Sequence, residues 1–310
     1  MREAPRGSLA PERASSEQAD ALWKVHILPP SPRLACDVLF YVARRRRCAG
    51  EPVTVPPWQT RFPANMYSAL TVVHSGQLLD SATGSRTPGI ALSGAMSRAA
   101  LRDYVDGPQT TVVVFKPGRM TDFCRLPAYD LSDTWADAGA VLGVGEHNEL
   151  CDGLAEQTTV ARQIMVLDRL LERRLHGALH TPASQIARAM HGFIWQLPHA
   201  KVGDLVSRFG WTARRLERRF RDHFGVSPQT MIRLARLQLA LLKLQRRDPG
   251  CQPGVHGVAQ EAGYADHAHM AREFKSLVGL TATQVHRALR APGNSMWAFA
   301  APQDSLLALE

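Results

Sequence analysis

The spacing of apolar residues changes about halfway along the chain. In the first half, short runs rich in β-branched residues, among them 68–74, 89–94 and 109–115, are separated by Pro and Gly. Such runs are typical of β-strands joined by turns. The pattern predicts a β-rich first half, folded as a small sheet or a barrel. It also predicts that the last of these strands stops at Lys116, because the following Pro cannot donate to a sheet ladder.

A helical period replaces the strand pattern farther along the chain. Five apolar residues recur at steps of three or four: Ile164, Leu167, Leu170, Leu171 and Leu175. This spacing predicts an amphipathic helix over 160–175. Two uses of its apolar face stay open, which are dimerisation and packing against its own domain.

Two helical units of one design follow, the first over 201–225. A short amphipathic helix ends at Gly210, and Thr212 is placed to cap the next helix with its hydroxyl group. In that next helix three apolar residues share a stripe at four-residue steps: Leu216, Phe220 and Phe224. The stripe predicts a helix held to its domain by one face.

The opposite face of this second helix is strongly basic. It carries Arg214, Glu217, Arg218 and Arg221, and the same helix adds Arg215 as a further DNA-binding candidate. So many like charges on one helix repel each other, and a polyanion would relieve that repulsion. One buried face and one basic face are the layout of a recognition helix that enters the DNA major groove.

The second unit, over 255–279, repeats the plan after a linking helix at 228–245. Asp266 is the predicted cap, and Met270 and Phe274 take the places of Leu216 and Phe220 at the same spacing. We call the second helix of each unit, which is the candidate recognition helix, a reader. The outward candidates of the second reader are His267, Ala268, His269, Arg272 and Lys275.

The net charge of +9 belongs to the segment that holds these units. Residues 188–292 contain 17 of the 37 basic and 7 of the 28 acidic residues, so the remainder holds 20 and 21. A basic segment beside a neutral one favours a polyanion as the partner of that segment alone.

Several short motifs of the C-terminal third resemble the AraC/XylS-type transcription regulators. They are Leu216-Glu-Arg-Arg-Phe220, Gly225-Val-Ser-Pro228, Arg236-Leu237, Val258-Ala-Gln-Glu-Ala-Gly-Tyr264, and Arg272-Glu-Phe-Lys275 with Gly279. The resemblance covers about 186–290. It implies a cytoplasmic regulator whose two helix-turn-helix units, joined by one helix, bind double-stranded DNA. It leaves RNA polymerase, a small-molecule effector and a second copy of the chain as open partners.

The same resemblance assigns roles within the two readers. Base-facing positions are Arg214, Glu217, Arg218, His267, Ala268, His269 and Arg272. Glu217 has two open roles, which are accepting from cytosine or orienting Arg214 or Arg221 by an ion pair. Phosphate contacts or internal pairs are the open roles of Arg215, Arg219, Arg233, Arg236 and Lys275. Because the second reader offers His and Ala where larger polar residues are common, we expect it to discriminate bases less.

The predicted fold is α+β, with a β-rich, sensor-like N-terminal domain before an all-α double helix-turn-helix domain. The N-terminal domain is loosely similar to uncharacterised β-rich domains of such regulators, and a cupin-like barrel is one option for it. The predicted parts are a disordered arm over 1–20, an effector or dimerisation domain over 21–180, the DNA-binding domain over 186–290 and a tail over 291–310. A linker is expected at 176–182. Trp58, Tyr67, Phe123 and Trp135 are candidates for a ligand pocket, with core packing the favoured use.

Other function classes find little support in the residues. DNA alkylation repair, the alternative function for such a chain, needs an activated cysteine or a four-cysteine zinc site. The five cysteines are scattered without CxxC spacing, which is typical of a reducing cytoplasm. No catalytic, cofactor or metal motif is present, and no run is long enough to span a membrane. The basic run 44–47 is expected to be a solvated edge.

Overall fold

The computed structural model describes residues 23–46, 57–176, 196–246 and 254–289. The predicted arm over 1–20, the tail over 291–310 and nearly all of the expected linker lie outside the described residues. So do Cys48 and Cys251, and the first residues of the predicted DNA-binding domain.

Seven strands form one antiparallel sheet in the N-terminal domain. They are β1 (Trp23–Leu28), β2 (Val38–Arg46), β3 (Trp58–Phe62), β4 (Ser68–Asp80), β5 (Ile90–Ser93), β6 (Ala100–Phe115) and β7 (Ala136–Asp137). Their order is β1-β2-β6-β4-β5-β7, and β3 pairs with the first half of β6. The predicted runs therefore fall in β4, β5 and β6. The strand that was expected to stop at Lys116 is β6, and it ends one residue earlier, at Phe115.

Of the two alternatives that the sequence left open, a small sheet and a barrel, the described strands form one sheet. No described pairing joins β1 to β7, so the sheet is open. The edge strand β7 has two residues and pairs only with β5, which leaves too little ladder to close a barrel.

Three helices cover one face of the sheet. They are α1 (Met120–Cys124), α2 (Gly139–Ala155) and α3 (Val160–Leu175). The third has the predicted bounds, and its Leu167 and Leu171 are buried in one cluster with Val113 and Phe115 of β6. The apolar face of α3 therefore packs on its own domain, which was one of its two expected uses.

Two 3₁₀ helices and six α-helices complete the described chain. The 3₁₀ helices are Ala128–Leu131 and Leu197–His199; the α-helices are α4 (Val202–Phe209), α5 (Ala213–Phe224), α6 (Pro228–Arg246), α7 (Gly254–Glu261), α8 (His267–Leu277) and α9 (Ala282–Ala288). The pairs α4–α5 and α7–α8 are the two predicted helical units, and α6 is the predicted linking helix.

The second face of the sheet shares a core with these helices. Phe40 of β2 and Val114 of β6 belong to the same buried cluster as Phe220 of α5 and Met231 of α6. Burial of apolar surface therefore holds the two domains together as well as each domain by itself.

The expectation of a solvated basic run is wrong for Arg44 and Arg45. Arg44 is 6% exposed, and its guanidinium lies 4.8 Å from the ring centres of Trp23 and Trp58. Arg45 donates to Thr111 Oγ1 and to Gln163. The physical reason is that adjacent side chains of a strand point to opposite faces, and both faces are covered here. Arg44 enters a cluster of aromatic rings, and Arg45 meets Gln163 of α3.

Candidate nucleic-acid interface

The first recognition helix, α5, has the predicted ends and the predicted buried stripe. Thr212 Oγ1 accepts from the backbone N–H of Arg215 at 3.3 Å, which satisfies a free donor of the first turn. Leu216 and Phe220 are at most 1% exposed. Gly225 ends the helix with φ +76°, a conformation that residues with a Cβ rarely adopt.

The basic face of α5 lies in solvent, as the spacing predicts. Arg214, Arg215, Arg218 and Arg221 are all exposed. Arg221 Nε is 2.9 Å from Glu217 Oε1, so Glu217 orients Arg221, one of its two open roles. The guanidinium of Arg215 lies 5.4 Å from the ring centre of Trp211, a contact that spacing alone did not predict.

The second recognition helix, α8, follows the same plan with weaker polar groups. Asp266 accepts from the backbone N–H of His269 at 2.6 Å and caps the helix. Met270 and Phe274 are fully buried. Of the outward candidates, Ala268, Arg272 and Lys275 are exposed, whereas His267 and His269 are half-buried.

The half-buried position of His269 has a local cause that the sequence did not predict. Its ring meets the ring of Tyr264 edge to face at 5.4 Å. Tyr264 is itself buried, and burial raises the pKa of its hydroxyl. His269 is therefore packed against its own unit on one side and can offer only part of its ring to a partner.

The linking helix α6 ties the two units together through polar contacts as well as apolar ones. Arg233 Nε donates to Glu273 Oε1 of α8 at 2.7 Å. Arg236 Nε donates to the carbonyl oxygen of Pro198 at 2.7 Å, just before the first unit. Both arginines thus form internal pairs, one of their two expected uses. Glu273 was missed as a structural residue because its partner lies 40 positions away.

A groove of about 720 Å³ lies where the start of α4, the first half of α6 and α8 meet. Lys201, Gln229 and Arg272 line it and are exposed. Arg233 and Glu273 lie deeper in it as the pair described above. The groove joins elements from both units, which is why no local motif could indicate it.

The N-terminal domain encloses a much smaller cavity of about 40 Å³. Its walls come from five strands and from Trp135: they are Val25, Val42, Arg44, Phe62, Thr71, Leu78, Tyr104, Thr110, Val112 and Trp135. Of the four aromatic candidates from the sequence, Trp135 lines this cavity. Trp58, Tyr67 and Phe123 are instead packed in the cores.

Neither Cys124 nor Cys151 has the lowered pKa of an activated nucleophile, although Cys151 Sγ lies 3.9 Å from the ring of His147. Cys124 is 4% exposed, and burial raises its pKa to about 12. A thiol with such a pKa is protonated at neutral pH and is a poor nucleophile. Burial also raises the pKa of Cys151, with Asp152 and Asp137 adding to the rise. Within the described ranges, no cluster of three or more His, Cys, Asp or Glu side chains could hold a metal ion.

Comparisons with known proteins agree with this geometry. Residues 205–288 match a family model described as a helix-turn-helix domain. The transcriptional activator RhaS of Pectobacterium carotovorum subsp. carotovorum (strain PC1) is 23% identical over 260 residues, which cover 76% of this chain and 90% of RhaS.

Solved structures of ToxT from Vibrio cholerae are also similar to this chain. One, from strain O395, has a TM-score of 0.40 at 11% identity and covers 76% of this chain and 98% of ToxT. Another, wild-type ToxT of strain SCE256 with a bound unsaturated fatty acid, has a TM-score of 0.38 at 11% identity and covers 86% and 94%.

The matched domain and the two capped, basic helices define this protein as a DNA-binding transcription regulator. The helix-turn-helix domain that the family model matches lies in its C-terminal part, over residues 205–288. None of the described helices is both long enough and apolar enough to cross a membrane.

Proposed function

We propose that this regulator recognises specific DNA sequences by placing α5 and α8 in two adjacent major-groove segments. The observation that carries the proposal is that each helix is capped, buried along one face and open along the other. The two helices belong to units joined by α6, so they can approach one side of a duplex together. Recognition helices on one DNA face read segments about 34 Å apart.

Within the first reader, Arg214 and Arg218 are the proposed base contacts. They are exposed and one helical turn apart, and arginine binds guanine O6 and N7 through two hydrogen bonds. Arg221 is held by Glu217, which suits a phosphate contact better than base reading. Arg215, beside Trp211, takes the same positioning role.

The second reader is proposed to add less discrimination. Ala268 offers only a methyl group, which suits contact with thymine. His269 is partly covered by Tyr264, and Arg272 is the only long outward side chain proposed to face bases. Lys275, exposed near the end of α8, is better placed for phosphate.

The groove between the units is proposed to hold the DNA backbone that separates the two major-groove segments. Lys201 brings positive charge to its rim, and Gln229 brings an amide donor. Backbone contacts of this kind position a protein on the duplex without reading its sequence.

Selection of duplexes from a random pool by the full-length protein tests the proposal. We expect a recovered motif with two blocks about 10 base pairs apart and stronger preferences in the block read by α5. Recovery of no sequence preference would contradict sequence-specific reading, and a single short block would contradict the use of both helices.

Affinity for the selected duplex is expected to fall steeply as the salt concentration rises, because Lys and Arg side chains that contact phosphates displace counterions from the DNA. Four phosphate contacts give a loss of about tenfold between 0.1 and 0.2 M salt. Lys201→Ala should weaken binding to all sequences alike and lower the salt slope by about one. Fluorescence anisotropy across a salt series measures both effects, with Lys24→Ala in β1 as the charge-matched control. A flat salt response would contradict DNA as the partner.

The N-terminal domain is proposed to respond to a small effector at its cavity. A volume of about 40 Å³ admits only a few water-sized groups, because one water needs about 10–15 Å³ of such space. An effector of ordinary size must therefore displace a wall. Control of RNA polymerase, and pairing of two copies on DNA, are the proposed routes from DNA binding to transcription.

A further inference from the structure

The end of the first recognition helix lies directly against the N-terminal domain. Ser132 Oγ donates to the carbonyl oxygen of Gly225 at 2.9 Å. A Cβ atom at Gly225 would lie 2.0 Å from Ser132 Oγ and 2.9 Å from the carbonyl oxygen of Ala128. These distances leave no room for a side chain at Gly225, so the hydroxyl of Ser132 and the carbonyl of Ala128 lie directly against the helix end.

The end of the second recognition helix is held by the same domain. The backbone N–H of Ala64 donates to the carbonyl oxygen of Leu277, the last residue of α8, at 2.8 Å. Arg61 Nη1 donates to the carbonyl oxygen of Val278 at 3.4 Å. A Cβ atom at Gly279, where φ is +76°, would lie 2.4 Å from Arg61 Nη1. Carbonyl groups at a helix end need such donors.

These two contact points are joined by one loop of the N-terminal domain, residues 94–97. The N–H of Gly94 donates to the carbonyl oxygen of Leu131 at 2.7 Å, beside Ser132. Met96 exchanges two backbone hydrogen bonds of 2.9 Å with Asn65, beside Ala64. We call the group Arg61, Ala64, Ala128 and Ser132 the clamp; the loop fixes its two halves relative to each other.

The clamp is also continuous with the walls of the small cavity. Phe62 lies between Arg61 and Ala64 in the sequence, and Trp135 lies three residues after Ser132. Both rings line the cavity, and they meet edge to face with centres 5.7 Å apart. Displacement of either ring by a bound molecule would therefore shift a segment that contacts a recognition helix.

We propose that the clamp sets the separation of the two recognition helices, and that the Phe62–Trp135 contact transmits changes in the cavity to that separation. If the N-terminal domain contacted one recognition helix alone, it could change only the affinity of the protein for DNA. Because it contacts the C-terminal ends of both recognition helices, it can also change which half-site spacing the protein reads. The inference deepens the proposed function and rests on it for the spacing that is read on DNA, whereas the separation itself is a property of the protein without DNA.

Distance measurement between spin labels in the full-length, DNA-free protein tests the proposal. Labels are placed by Arg214→Cys and Ala268→Cys, both exposed sites on the two readers. Cys36, Cys48, Cys151 and Cys251 are replaced by Ser, and buried Cys124 is retained. We expect one narrow distance population in this parent protein.

Two variants then separate the parts of the proposal. Arg61→Ala with Ser132→Ala removes both side-chain contacts of the clamp, and we expect a broader or shifted distance distribution. Arg86→Ala with Ser75→Ala is the matched control, since both residues are exposed and have no described hydrogen bond to the C-terminal helices. Trp135→Ala should also change the distance distribution. It removes a wall of the cavity and the contact with Phe62, and the proposal is that such a change is transmitted to the separation of the recognition helices.

Unchanged distributions in a folded clamp variant would overturn the clamp, and an unchanged distribution in Trp135→Ala would overturn the link. Circular dichroism verifies folding. If the double variant fails to fold, Ser132→Ala alone provides the same comparison at the first reader. None of these outcomes depends on DNA, so failure of the clamp and failure of sequence-specific binding are distinguishable.

Discussion

Replacing Arg218 by alanine is expected to abolish the preference for one base pair of the selected duplex. Arg218 is exposed on the open face of α5, one turn from Arg214. Loss of a bidentate contact to guanine removes about 1–3 kcal/mol of discrimination. At about 1.4 kcal/mol per tenfold, the affinity for the selected duplex should fall about 5- to 150-fold.

The measurement is a comparison of Arg218→Ala with the unaltered protein on the selected duplex and on its single-base variants. Arg169→Ala is the control, because this exposed arginine lies on α3 of the N-terminal domain and carries the same charge. Equal losses on selected and scrambled duplexes would assign Arg218 to phosphate and contradict its role as a base contact.

The sequence predicted the local structure of the two readers well because their signals are local. Thr212 and Asp266 cap the helices that follow them, and each cap depends on a residue only three positions away. The stripe of Leu216 and Phe220 is buried because its spacing matches the helical repeat. Spacing alone therefore determined which face is held and which face is open.

The N-terminal domain was predicted less well because its structure depends on distant pairings. Arg44 lies in a run of four basic residues, yet it is buried because the rings of Trp23, Trp58 and Tyr104, from three different strands, surround its guanidinium. The described sheet is open at the edge where β7 pairs with β5 over only two residues. Neither fact leaves a periodic trace in the residues.

The candidate site shows the same division. Exposure of the arginines of α5 follows from helical spacing, whereas the pairing of Arg233 with Glu273 and the groove beside it require α6 and α8 to be packed together. The residues of the clamp contact partners that lie even farther away in the sequence, since Ser132 and Gly225 are 93 positions apart. Only tertiary structure brings such residues within hydrogen-bonding distance.

Replacing Phe220 by alanine is expected to cause the largest loss of stability. Phe220 is 1% exposed, and its ring centre lies 5.3 Å from that of Phe224. Truncating a buried Phe to Ala costs about 3–5 kcal/mol of unfolding free energy, through lost apolar burial and the cavity left behind. Urea unfolding measures the loss, with Phe209→Ala as the control because that ring is only half-buried against Trp211.

The same experiment tests whether the two domains share one core. Phe40 and Val114 of the sheet lie in one buried cluster with Phe220, so destabilising that cluster should weaken both domains together. Trp195, Trp211 and Trp297 are replaced by Phe for this measurement, so that fluorescence comes from Trp23, Trp58 and Trp135 of the N-terminal domain. We expect this fluorescence and helical circular dichroism to report one coincident transition that moves to lower urea in Phe220→Ala. If only the circular dichroism transition moved, the sheet would not depend on α5, and the shared core would contribute little to the stability of the N-terminal domain.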